Sequence, residues 1–170
     1  MKPENLNRWE NLTKADYKNY LAFFKKLSAA PKSQSPDIET IHSEVFSDTD
    51  CLSCANCCKT SPALLTKEDI KRISKHLQIS TKEFQKKYVL EDVNGELSLN
   101  NVPCQFLLQD NSCSIYEIRP EACRQFPHTH DKDYPRRVIL NTKNIFVCPA
   151  ALAIAEKWEN VINNLILSKK

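Results

Sequence analysis

The sequence predicts a mainly α fold with a small β-hairpin or sheet element, and three observations carry that prediction. Capping-box spacings open several runs of apolar residues at three- and four-residue steps, an Asn-Gly turn stands beside a short alternating stretch, and glycine occurs once in 170 residues, as Gly95. A chain of this length is the size of one ordinary domain and buries a core without covalent staples. A single glycine argues against folds built on glycine-rich phosphate loops or many tight hairpins, and no GxGxxG or Walker pattern can be written.

Taken in order, Thr13-Lys14-Ala15-Asp16 has capping-box spacing, and Tyr17, Tyr20, Leu21, Phe24 and Leu27 follow at helical steps, so a helix is predicted over residues 13–29. Residues 31–36, bounded by Pro31 and Pro36, read as a linker, and a shorter helical turn over residues 37–46 leads into a cysteine-rich segment. Residues 1–45 therefore read as an N-terminal helical extension and residues 46–170 as the main domain, closed by a C-terminal helix. Thr66 with Asp69 and Ser80 with Glu83 open a helical pair, the first carrying Ile70, Ile73 and Leu77 on one face and the second Phe84 and Tyr88.

Asn94-Gly95 marks a turn, with a short strand predicted over residues 96–99. Residues 104–108 and 113–116 flank Gln109-Asp110-Asn111-Ser112 and predict a hairpin that brings Cys104 near Cys113. Residues 119–124 read as a short helix with Pro120 at its first position, closed by Pro127. Residues 138–147, β-branched and polar, read as a strand. From Pro149 onward, Leu152, Ala155, Trp158, Ile162 and Leu165 mark a long amphipathic helix.

Apolar residues at 41%, charged residues at 26% and a net charge of +3 are ordinary for a globular chain and point to neither nucleic acid nor a membrane as partner. The polar start, Met1-Lys2-Pro3-Glu4-Asn5, has no secretory pattern, and no apolar run approaches membrane-spanning length. A cytoplasmic, reducing compartment is the expectation. There, eight cysteines stay thiols unless they bind metal or do redox work, which weighs against the four disulfides that an even count would allow.

Cys51, Cys54, Cys57 and Cys58 fall within eight residues, and two-residue gaps let successive thiolates turn onto one ion or cluster. Flanking Ser53, Asn56 and Lys59 argue against a buried run of small apolar residues. Cys104, Cys113, Cys123 and Cys148 are dispersed and could individually be core thiols. Yet Cys123 lies between Arg119 and Arg124, and Cys148 precedes Pro149 at the start of the last helix, two settings expected to lower a thiol pKa. All eight cysteines are therefore candidate ligands for zinc or for iron in an iron–sulfur cluster. Adjacent Cys57 and Cys58 are expected to point apart and to serve different sites. One partition groups Cys51, Cys54 and Cys57 with Cys148, since CxxCxxC with a distant Cys-Pro follows ferredoxin-type ligation; others stay open. Lys59, Arg119 and Arg124 are placed to screen the residual charge of a loaded site. Residues 47–63, with little apolar periodicity, are expected to owe their order to the ion.

Cys51xxCys54xxCys57Cys58, Leu64-Leu65-Thr66-Lys67-Glu68-Asp69-Ile70, Pro103-Cys104-Gln105-Phe106-Leu107, Cys113-Ser114-Ile115-Tyr116-Glu117-Ile118-Arg119-Pro120 and Cys123-Arg124-Gln125-Phe126-Pro127 occur in this order. Together they resemble the bacterial CxxCxxCC cysteine-cluster (YkgJ-type) family over about residues 46–150. The resemblance implies a zinc- or iron-chelating domain, and a further likeness to a domain of flagellin lysine N-methylase.

The first functional reading is thus a fold organised around a cysteine-rich metal site, acting in interaction or metal handling, with a metal ion and a protein as its partners. The second is a metal- or iron–sulfur-dependent enzyme of methyl transfer or redox type, which needs an open coordination position or a cleft. His128 and His130 read as a solvated loop in preference to ligands or an acid–base pair. His42 and His76 read as surface positions on helices. Tyr116, Glu117 and Arg119 are equally readable as hydrogen-bond partners of the sulfurs or as turn and cap residues.

Overall fold

Helices form wherever capping and apolar spacing agree, and the result is a mainly α architecture with one small two-stranded antiparallel sheet. The structure, a computed structural model, describes residues 3–29, 37–131 and 133–167. It divides into two units, Met1–Asp50 with Pro127–Lys170, and Cys51–Phe126. Among the described residues no helix is long and apolar enough to cross a membrane.

The first unit packs α1 (Pro3–Glu10), α2 (Lys14–Ala29), α3 (Ile38–Ser47), α8 (Val138–Val147) and α9 (Pro149–Leu167). α2 starts on the predicted reciprocal cap: the Thr13 N–H donates to Asp16 Oδ2 at 2.8 Å and the Asp16 N–H to Thr13 Oγ1 at 3.3 Å. Its face of Tyr20, Phe24 and Leu27 is buried against α8 and a 3₁₀ turn, Tyr134–Arg136. α9 brings Leu152, Ala155 and Trp158 into the same core, the Trp158 ring stacked on Tyr134 with centroids 5.3 Å apart. The predicted linker at residues 31–36 and the side chain of Leu165 lie outside what is described. Sequence patterning did not register α1, which is anchored where Trp9 Nε1 donates to the Ile145 carbonyl at 2.9 Å.

Residues 138–147 form a helix, not the expected strand. Asn141, Thr142, Asn144 and Ile145 are the buried positions, with Val138 and Phe146 beside them, which is helical spacing. The polar members disguised it. Asn144 Nδ2 donates to the Pro127 carbonyl at 3.0 Å and Asn141 Nδ2 to that of Tyr134, so both carboxamides point inward. Packing against α2 and α9 overrides the β propensity of the branched residues.

The second unit contains α4 (Asn56–Thr60), α5 (Lys67–His76), α6 (Thr81–Tyr88), β1 (Val89–Glu91), β2 (Leu97–Leu99) and α7 (Glu121–Gln125). Thr66 and Asp69 make the full capping box of α5, and Ser80 accepts from the Glu83 N–H at the start of α6. Ile70, Ile73, Phe84, Leu99, Phe106 and Ile115 form the core between these elements. The expected hairpin at residues 104–116 reduces to one antiparallel bridge, Leu107 with Cys113, because the chain turns into a 3₁₀ segment at Tyr116–Ile118 to bury Ile115. Pro120 caps α7 instead of occupying its first turn.

β1 and β2 pair around the predicted turn, where Asp92 Oδ1 accepts the N–H groups of Asn94 at 2.8 Å and Glu96 at 2.9 Å. Gly95 there has φ +79°, and a Cβ would meet only a carboxylate oxygen of Glu91 at 3.8 Å. Conformation, not space, requires glycine. Gly95→Ala is expected to lower stability by about 1 kcal/mol and Gly95→Asn by less, as read by urea unfolding of the two variants beside the parent chain.

Candidate metal centre

The cysteine-rich segment is shaped by its own backbone. The Cys51 carbonyl accepts the N–H of Cys54 at 3.2 Å and of Ala55 at 2.8 Å, and buried Ala55 turns left-handed at φ 49°. Its carbonyl then starts α4 by accepting from Cys58 and Lys59 at 3.0 and 3.1 Å. The run is fastened by Lys59 Nζ on the Cys54 carbonyl at 2.9 Å and by Asn111 Nδ2 on the Leu52 carbonyl at 2.9 Å. The Cys104 N–H donates to the Cys58 carbonyl at 2.8 Å, tying the second cysteine group to the first.

No disulfide joins the eight cysteines, of which Cys51 is exposed and the other seven are half-buried. Cys58, Cys104, Cys113 and Cys123 share one electrostatic neighbourhood within the second unit. Burial first, then the charge of Cys58 and Cys113, raises the Cys104 thiol, while the N–H groups of Phe106 and Leu107 oppose by bonding its sulfur. Burial and Cys58 raise Cys113 against the Ile115 N–H and Arg119. Cys123 is pushed up to about 12 by burial and then by Cys58, Cys104 and Cys113 together. The expected lowering of Cys123 between two arginines is therefore reversed. Only Arg119 opposes the rise, since Arg124 is engaged with the carbonyls of Arg119 at 3.2 Å and Glu117 at 3.0 Å.

Cys57 and Cys58 do not point apart as expected. Their thiols hydrogen-bond one another, and this contact, ahead of burial, is the main cause that raises Cys58. Cys58 is thus the sulfur where the two cysteine groups meet. Cys148 caps the start of α9, its carbonyl accepting from Leu152 at 3.2 Å, and packs against the core of the first unit. Among the described residues no three His, Cys, Asp or Glu side chains stand at the spacing of a formed coordination sphere. Cys58, Cys104, Cys113 and Cys123 are soft donors of the kind that suits zinc or iron, and they lie within electrostatic reach of one another, with backbone N–H groups bonding Cys104 and Cys113.

Arg119 acts on two of the sulfurs and lies over the Tyr116 ring at 3.9 Å, whereas no contact of Tyr116 or Glu117 with a sulfur is among those described. The donors at Phe106, Leu107 and Ile115 were not singled out from sequence, although their position two or three residues after a cysteine in a turn is the signal that finds them. His76 is an exposed helix position. His42 is not a plain surface residue: its Nδ1 lies 2.8 Å from the hydroxyl of fully buried Thr129, and its ring stacks on Phe46 and meets His130 with centroids 5.3 Å apart. His128, half-buried at φ 65°, completes a histidine group in the first unit.

Residues 50–145 match the model of the CxxCxxCC family, whose description reads "Putative zinc- or iron-chelating domain". No solved structure matches the chain.

Burial lowers the pKa of His42, with His130 adding to the effect against Glu39, and burial with Arg137 and His130 lowers that of His128 against Asp131. A depressed histidine contributes stability above its unfolded value near 6.5 that is lost as pH falls through the folded value. Both tryptophans, Trp9 and Trp158, belong to the first unit. Urea unfolding followed by tryptophan fluorescence is expected to show a loss of stability between about pH 7 and pH 5. His42→Gln should reduce that loss, and an unaltered pH slope would show that this histidine does not carry it.

Proposed function

We propose that this chain, which belongs to the CxxCxxCC family, chelates zinc or iron through its cysteines and acts as a metal-handling or interaction module in a reducing cytoplasm. The observation that supports this most directly is that Cys58, Cys104, Cys113 and Cys123 are half-buried thiols within electrostatic reach of one another. Thiols in that setting gain little from one another and much from a cation. These four would hold the ion. Cys57, bonded to Cys58, extends the same donor set toward Cys54 and Cys51, and Cys148 is the remaining candidate ligand.

The ion would supply positive charge that stabilises the thiolate forms and cross-links segments far apart in sequence. The chain does the rest. Backbone N–H groups of Phe106, Leu107 and Ile115 hold the sulfurs in orientation, and Arg119 offsets the negative charge that remains. Asn111 and Lys59 keep the 51–54 turn closed from outside.

Anaerobic purification with elemental analysis and an absorption spectrum tests the proposal, since an iron–sulfur cluster absorbs in the visible and zinc does not. We expect bound zinc or iron, lost in part or whole in Cys58→Ser; a folded chain free of both metals would refute the proposal. Cys148→Ser separates two outcomes of opposite sign. As a ligand, Cys148 takes metal content and the stability of α9 with it when replaced. As a cap only, its serine replacement keeps full metal content and gains about 0.5–1 kcal/mol in thermal unfolding.

A further inference from the structure

Asp69 and Arg72 do more in the second unit than start a helix. Asp69 is 1% exposed, and its Oδ2 accepts the Thr66 N–H at 2.9 Å to complete the capping box of α5. Its Oδ1 reaches a different part of the chain. It accepts the N–H of Glu121, the first residue of α7, at 3.1 Å, and pairs with Arg72 Nη2 at 2.5 Å. Arg72 extends to the same segment, donating from Nε to the Ile118 carbonyl at 3.3 Å and from Nη2 to the Arg119 carbonyl at 2.9 Å. A capping box requires none of these long-range bonds.

The segment so held, residues 118–121, lies within the span between Cys113 and Cys123. It begins where the 3₁₀ turn ends and opens the helix that carries Cys123. Three backbone groups are fixed from α5 by one carboxylate and one guanidinium, so the separation of two clustered thiols is set by a helix that contributes no sulfur. Bonds of this kind fix ligand position without touching the ion, and they count most when a ligand must swing away for the ion to leave.

We propose that Asp69 and Arg72 are positioning residues of the thiol cluster: they hold residues 118–121 so that Cys113 and Cys123 face one ion, and thereby slow its release. The inference rests on the metal reading above. Its test is the full chain loaded with cobalt(II), whose thiolate charge-transfer band counts bound sulfurs and whose loss to a chelator gives the release rate. Arg72→Met keeps the apolar stem and removes all three donors, Asp69→Asn keeps the shape and removes the charge, and Arg72→Lys retains a single cation unable to span both carbonyls and Asp69. Thr66→Ala is the control, since it weakens the same helix start while leaving the bonds to residues 118–121 in place.

Arg72→Met and Asp69→Asn are expected to release cobalt about 10- to 100-fold faster while reaching the full band at saturation, with Arg72→Lys between them and the parent. Thr66→Ala should unfold at lower temperature yet release cobalt at the parental rate. Release from Arg72→Met within about twofold of the parent, or equal acceleration in Thr66→Ala, overturns the positioning role alone. A parent chain that takes up no cobalt overturns this inference, and one that also holds neither zinc nor iron after anaerobic purification overturns the metal reading with it. Should Asp69→Asn fail to fold, Arg72→Met decides, because Arg72 is one-third exposed and its loss leaves the capping box intact.

Discussion

Half-buried thiols within electrostatic reach of one another are the constraint on which a metal site in residues 51–126 would depend. Each is harder to ionise for being buried and harder still for having the others near, and the thiolate is the form that binds metal. Metal binding at these thiols would therefore expel protons as it proceeds. The few opposing features, three backbone N–H groups and Arg119, are too weak to ionise the sulfurs alone. They would bond the thiolates formed if these sulfurs took up a cation.

The rest of that unit can be understood as support for a loop region that has little apolar surface of its own. α5 and α6 pack Ile70, Ile73 and Phe84 against Leu99, Phe106 and Ile115, so the segments flanking Cys104 and Cys113 rest on an ordinary hydrophobic core. Exposed positions of the cysteine run are fastened by side chains to backbone carbonyls, as with Lys59 and Asn111, and not by burial. Cys104 and Cys113 themselves pack against that core, so candidate ligands and core residues share the same short elements.

Much of this was legible where a local signal had one meaning. Thr13 with Asp16, Thr66 with Asp69 and Ser80 with Glu83 announced three helix starts, Asn94-Gly95 announced the turn between β1 and β2, and the order of the cysteine motifs announced the family that residues 50–145 match. It failed where a polar residue serves the interior. Asn141 and Asn144 read as solvent-facing residues of a strand because nothing local says that a carboxamide will find a carbonyl inside a helical core. His42 looked exposed for the same reason, its partner Thr129 lying far along the chain. The electrostatics of Cys123 were misjudged because neighbours in sequence, Arg119 and Arg124, were weighed while neighbours in space, three other thiols, were not visible.

The left-handed backbone at Ala55 separates the two halves of the cysteine run, Cys51 with Cys54 before it and Cys57 with Cys58 after it. Glycine would adopt that bend freely, whereas alanine is held there at a cost of about 1–2 kcal/mol by its burial and by the Cys51 carbonyl. The sterically allowed alternatives lie across a barrier and not along a gradual slope. In mechanical terms the joint is a detent: the chain on either side of Ala55 is held in one setting by a backbone well and not by a soft bend.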